Sequence, residues 1–153
     1  MYIFNLLPAN ELYVNLVDCV SKLSTEVFFS DNYEILVFGN FNLPQINWIN
    51  SHNGYYVNPF NVTRESDASF LDEFSSIGFR QLNSIRNHND RLLDLIFSSN
   101  ESDFYISRST DYIVSEDIHH PTIMLTLNFD VNAVTTSDGV YTILIIKTQI
   151  MLN

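Results

Sequence analysis

Apolar positions change their spacing several times along the chain, and each change marks an element. Tyr2-Ile3-Phe4-Asn5-Leu6-Leu7 reads as a strand closed by Pro8 and Asn10. From Asn10 to Ser24, Tyr13, Leu16, Val17, Val20 and Leu23 recur at three- and four-residue steps with Asn15, Asp18 and Lys22 between them, which predicts an amphipathic helix. Ile35 to Phe38 is an unbroken apolar run between Glu34 and Gly39 and reads as a buried strand. Gly39 permits a sharp turn, Asn40 and Asn42 occupy the loop beyond it, and Pro44 ends the pairing. In α/β folds ligands gather just past the carboxyl end of such a strand, so Asn40 and Asn42 are the first candidate site residues. Ser51 to Arg64 has no sustained period and is expected to be a surface loop. Ser66 is expected to cap a helix ending at Ser76, with Phe70, Leu71 and Phe74 inward and Gly78 as its left-handed stop; Phe79 to Leu82 then returns to the core.

The second half contains two polar knots. Leu92-Leu93-Asp94-Leu95-Ile96-Phe97 predicts a buried strand, and Asp94 is its anomaly, because a carboxylate is costly to bury unless it is paired, hydrogen-bonded or metal-linked. Just before it, Arg86 and Arg91 join Arg80 as three of only seven basic residues, the one place suited to meeting a phosphate. Phe104 to Ser107 and Tyr112 to Val114 look like short strands. Then Glu116, Asp117, His119 and His120 crowd together ahead of Pro121, a combination suited to proton transfer or metal binding. From Thr122 to Phe129, Ile123, Leu125, Leu127 and Phe129 alternate with Met124, Thr126 and Asn128, which predicts a half-buried antiparallel strand. Residues 1–130 are expected to form one domain, with 131–153 a tail of unassigned role.

Composition narrows the function classes. Seven Lys and Arg against eighteen Asp and Glu give a net charge of −11, which opposes unaided binding of a polyanion. The single Cys19 makes no internal disulfide, and no Cys/His spacing resembles a zinc site, so an intracellular setting, nuclear or cytoplasmic, is expected. The N-terminus lacks the basic flank and apolar core of a secretion signal. Val140 to Leu152 is too short and too polar to span a bilayer, so no membrane association is expected.

Taken together, Gly39-Asn40-Phe41-Asn42-Leu43-Pro44 with Ile46-Asn47-Trp48, Gln81-Leu82-Asn83, Arg91-Leu92-Leu93-Asp94-Leu95 and His119-His120-Pro121 resemble, in order and spacing, the endonuclease/exonuclease/phosphatase superfamily. The nearest likeness is to the endonuclease domain of insect-type non-LTR retrotransposons, over residues 2 to 129. The resemblance implies an α/β fold of the α+β kind, part of a four-layer α-β-β-α sandwich, and magnesium-dependent hydrolysis of a DNA phosphodiester by activated water.

Site roles follow from the same resemblance. The family's Gly-Asp-Phe-Asn motif uses its Asp to orient or deprotonate water and its Asn to hold a phosphate oxygen; here those positions are Asn40 and Asn42. Asp94 matches the family's later Asp, at or near the metal, and Asp117 the carboxylate that orients the catalytic His and is a second metal candidate. Counting back from Pro121 assigns that His to His119, counting forward from Asp117 assigns it to His120, and His119 is preferred. Arg86 and Arg91 are the candidate phosphate contacts. An amide at Asn40 cannot act as a base, which removes a step worth about 10²–10⁴-fold in rate. The family's Asn and metal-binding Glu on earlier strands precede the start of the resemblance, so the expected sandwich lacks its N-terminal half and leaves an apolar sheet face for another protein chain to cover. The expectation is therefore an impaired nuclease-like domain, with two alternatives: a phosphodiesterase completed by a partner chain, or a non-catalytic protein-interaction domain.

Overall fold

A computed structural model of the chain describes residues 15–22, 25, 35–41, 43–99, 104–109 and 118–127. Among these the fold is mixed α/β, with small antiparallel sheets and two helices. In order, the elements are a helix over residues 15–22 (α1), β1 (Leu36–Asn40), β2 (Asn47–Asn50), β3 (Val57–Phe60), α2 (Glu65–Ser76), β4 (Arg80–Gln81), β5 (Asp94–Ser98), β6 (Phe104–Arg108) and β7 (Ile123–Leu127). The expected strands at Tyr2 to Leu7 and Tyr112 to Val114, the tail 131–153, and the candidates Asn42 and Asp117 lie outside the described residues. No helix among the described residues is long and apolar enough to cross a membrane.

The central sheet has the order β1-β5-β4, with β5 antiparallel to both neighbours. Val37 is opposite Phe97, Phe38 opposite Ile96 and Asn40 opposite Asp94. Because side chains alternate along a strand, Val37, Leu95 and Phe97 share one face while Leu36, Phe38, Asn40, Asp94 and Ile96 share the other. The first face receives α2. Phe97 lies 4.7 Å from Phe74 and 6.0 Å from Phe70, ring centre to ring centre, and meets Phe41 edge-on at 5.3 Å. Such tilted and edge-to-face contacts add about 0.5–1.5 kcal/mol per pair to ordinary apolar burial. Leu16, Val17 and Val20 of α1 belong to the same core, on the face the helical spacing predicts.

The second face is not left bare. Leu36 and Ile96, pointing away from α2, are 2% and 5% exposed within the chain itself. The expected uncovered apolar face is therefore absent from this sheet.

Two local expectations are corrected. Ser51 to Arg64 is not all loop, since β3 pairs with β2 in a hairpin that puts Trp48 opposite Pro59 and Ile49 opposite Asn58. Pro59 is tolerated because β3 has only one pairing partner among the described residues and its other edge needs no N–H. The connection is closed by Ser51, whose amide donates to the Tyr56 carbonyl (2.8 Å) and whose hydroxyl accepts the Tyr56 N–H (3.2 Å). The second correction concerns α2, whose N-cap is Arg64, without a side-chain capping bond, in place of Ser66. Glu65 and Asp67 in its first turn complement the helix dipole instead.

The C-terminus of α2 ends as its sequence predicts. Gly78 has φ +86°, its N–H bonds the Ser75 carbonyl at 3.0 Å, and the Phe79 N–H bonds the Phe74 carbonyl at 2.9 Å. Phe79 also packs edge-on against Phe74 at 5.5 Å, the apolar contact that accompanies this kind of helix stop. A Cβ added at Gly78 would meet nothing within 4 Å, so a side chain there is opposed by backbone conformation alone. Gly78→Ala is expected to lower unfolding free energy by about 1 kcal/mol in urea titrations, with no change in the denaturant slope.

Candidate functional site

The β1/β5 register sets the site. Asn40 is the last residue of β1 and Asp94 the first of β5, so the pairing delivers an amide and a carboxylate to the same end and the same face of the sheet. Directly opposed side chains on one face lie about 5 Å apart at Cβ. The ladder continues past the strand ends through the Phe41 N–H, which donates to the Leu93 carbonyl at 3.1 Å.

Asp94 is held from two sides. Asn83 Nδ2 donates to the Asp94 main-chain carbonyl, 2.6 Å away, while Asn83 Oδ1 accepts the Ile85 N–H at 2.9 Å. Asn83 is itself fully buried, and its N–H is taken by Gln81 Oε1. On the side-chain end, His120 Nδ1 lies 3.1 Å from Asp94 Oδ2 and 3.3 Å from Oδ1. A carboxylate accepts and does not donate, so this contact calls for the hydrogen on Nδ1 and leaves Nε2 for chemistry. His120 is 38% and Asp94 22% exposed at the side chain, so the pair is open to a substrate.

The bend that carries His120 is fastened to the loop between β4 and β5. Asn87 Nδ2 donates to the His119 carbonyl at 3.2 Å, and the His88 N–H meets the Ile118 carbonyl at 3.4 Å. Pro121, directly after His120, is buried.

The sequence candidates therefore separate. Asn40, Asp94 and His120 come together; His119 is exposed and its carbonyl accepts from Asn87. His120 meets Asp94, while Asp117, the carboxylate expected to orient the family His, lies outside the described residues. Arg86 is committed to structure, with its guanidinium donating to the Trp48 carbonyl (2.6 Å) and the Asp90 carbonyl (3.0 Å) and lying 3.7 Å from the Asp90 carboxylate. Arg91 is exposed near the same loop. Asn83 belonged to the Gln81-Leu82-Asn83 motif without a role of its own, and Asn87 had neither a motif nor a role in the sequence.

Among the described residues no group of three or more His, Cys, Asp or Glu side chains is placed to hold a metal ion. Magnesium prefers carboxylates, waters and substrate phosphates in near-octahedral geometry. The described donors at this end of the sheet are one carboxylate with both oxygens turned to an imidazole nitrogen, and a neutral amide.

Comparison with known protein families, with curated proteins and with solved structures finds no match to this chain.

The bonds through Asn83 carry a measurable load. Asn83→Ala strands the Asp94 carbonyl and the Ile85 N–H, and is expected to destabilise the fold by about 1–3 kcal/mol in urea unfolding. Ser84→Ala, at the exposed neighbour, should stay within about 0.5 kcal/mol of the parent protein.

Proposed function

We propose that this chain carries the C-terminal part of a phosphodiesterase-type site of the endonuclease/exonuclease/phosphatase kind, derived from a non-LTR retrotransposon endonuclease domain, in which hydrolysis is impaired. The observation that carries the reading is the Asp94–His120 contact, which joins two motifs 26 residues apart, with Asn40 opposite Asp94 in the strand register. Four short motifs resembling one family gain weight when three of them converge on one end of one sheet. The mixed α/β core, with β1 and β5 covered on both faces, is compatible with a partial four-layer sandwich.

The arrangement supports parts of the chemistry and lacks others. His120, held through Nδ1, presents Nε2 to a phosphate oxygen or to water; Asp94 holds the ring and stabilises the imidazolium when Nε2 takes a proton. Asn40 donates or accepts a hydrogen bond but takes no proton, so water attacking phosphorus is oriented without being deprotonated there. With one described carboxylate beside an imidazole, charge on a phosphodiester is poorly neutralised. The net charge of −11 also repels DNA, and Arg86 is occupied with main-chain carbonyls.

A non-catalytic interaction role is the second reading. It is favoured by Ile49 and Phe60, about half exposed on the outer face of the β2–β3 hairpin with Asn47 and Asn58.

The impairment is tested by nicking of supercoiled plasmid in magnesium or manganese. Neither the parent protein nor Asn40→Asp is expected to nick above a protein-free control. Metal-dependent nicking that disappears in His120→Ala would overturn the impairment. The site assignment is tested separately by titrating inorganic phosphate while following amide and imidazole NMR signals. His120 and Asn40 should shift first, and a response confined to other residues would overturn the assignment.

A further inference from the structure

We infer that Asn87 is a positioning residue that seats the His120 ring on Asp94. Asn87 is 7% exposed and uses both ends of its amide. Oδ1 accepts the N–H groups of Asn89 and Arg91, each at 3.0 Å, and Nδ2 donates to the His119 carbonyl at 3.2 Å. These contacts agree on which end is oxygen, since two N–H donors face one atom and a carbonyl faces the other. The main chain of Asn87 closes the same turn. Its N–H donates to the Arg91 carbonyl at 2.9 Å, and its carbonyl accepts the Asp90 N–H at 3.0 Å, with Asp90 at φ +57°. Asn87 is thus fixed on four bonds inside its own loop, and the fifth reaches across to the segment bearing His120.

That fifth bond is the stronger of two rungs. The other, from the His88 N–H to the Ile118 carbonyl, is 3.4 Å long, near the outer limit of a hydrogen bond. Residues 118–120 form a bend with no ladder of their own, and β7 begins only at Ile123. On the C-terminal side the Ser109 N–H holds the Thr122 carbonyl at 2.9 Å, and on the N-terminal side Asn87 holds the His119 carbonyl, so the His120 backbone, and with it the Nδ1 contact to Asp94, is set between these two anchors. Asn87 does not touch Asp94 or the ring in any contact described. It acts by holding the carbonyl one residue away.

The inference rests on reading Asp94 and His120 as a working pair, and its test observes the pair directly, so nuclease activity is not needed. Long-range proton–nitrogen NMR correlation of the neutral imidazole identifies its tautomer. In the parent protein His120 is expected to carry its hydrogen on Nδ1. Asn87→Asp keeps an oxygen for the Asn89 and Arg91 N–H groups and replaces only the donor to His119, turning attraction into repulsion. It is expected to lower the ratio of Nδ1–H to Nε2–H tautomers at His120 by about fivefold or more, the size of one net hydrogen bond. Asp94→Asn sets the limit for a ring without its carboxylate. Asn87→Ser, whose hydroxyl accepts within the turn but is too short to reach His119, is expected to move the ratio in the same direction and serves if the Asp variant does not fold.

The readout separates positioning from general support, because the spectrum reports folded molecules. A merely structural Asn87 would reduce the folded population and leave the His120 tautomer unchanged, and that result overturns the inference. An Nε2–H tautomer in the parent protein would overturn the pair itself. Plasmid nicking by the parent protein would overturn the impairment reading and leave the role of Asn87 standing.

Discussion

The pairing of β1 with β5 is the interaction on which the rest of the structure depends. Its five residue pairs run from Leu36↔Ser98 to Asn40↔Asp94, and one strand serves two purposes on its two faces. Phe97 points into the aromatic cluster with Phe41, Phe70 and Phe74, while Asp94, three residues earlier, points to the other side and opens the site. A slip of one residue in this register would turn every side chain over, putting Phe97 outside and a carboxylate beneath α2. The aromatic core thus fixes the register, and the register brings Asn40 to Asp94. Stability and site geometry are consequences of the same set of main-chain bonds.

Much of this was legible in the residues. The buried runs around Ile35 and Leu95, the α2 stripe with its Gly78 stop, and the alternation from Ile123 to Leu127 all emerge as elements close to the expected bounds. These segments have strong periods and clear ends. The β2–β3 hairpin was missed because its strands are four residues each and contain Asn and Pro, whose low strand preference is overridden by the burial of Trp48 and Val57. The Ser66 cap failed because helix ends shift by a residue or two without a change in the apolar pattern, and α2 begins at Glu65.

The site was legible only in part, for a different reason. Asn40 stood out by its place past a strand end, Asp94 as a carboxylate inside an apolar run, and both by a family resemblance, whereas their being opposite one another needed the register. The choice between His119 and His120 turns on which of two adjacent side chains faces inward, and neither composition nor spacing carries that information. Asn83 and Asn87 are buried amides, one at the end of a short motif and the other in a polar stretch before β5. Their importance lies in bonds to backbone atoms of other segments, Asp94 and His119, which leave no trace in local pattern. Arg86 shows the converse, since a basic residue in a polar turn suggests a phosphate, yet its guanidinium ties that turn to the carbonyl of Trp48.

The buried Pro121 bears on all of this through the unfolded chain. A residue that precedes proline is sterically disfavoured from the helical region and biased toward extended backbone in the unfolded chain. His120 therefore begins with fewer conformations to lose, and less entropy opposes its docking on Asp94 than would oppose a histidine followed by any other residue. In a bend without sheet or helix to constrain it, the proline narrows the search before any contact forms, and the hydrogen bonds from the neighbouring loop need only select among what remains.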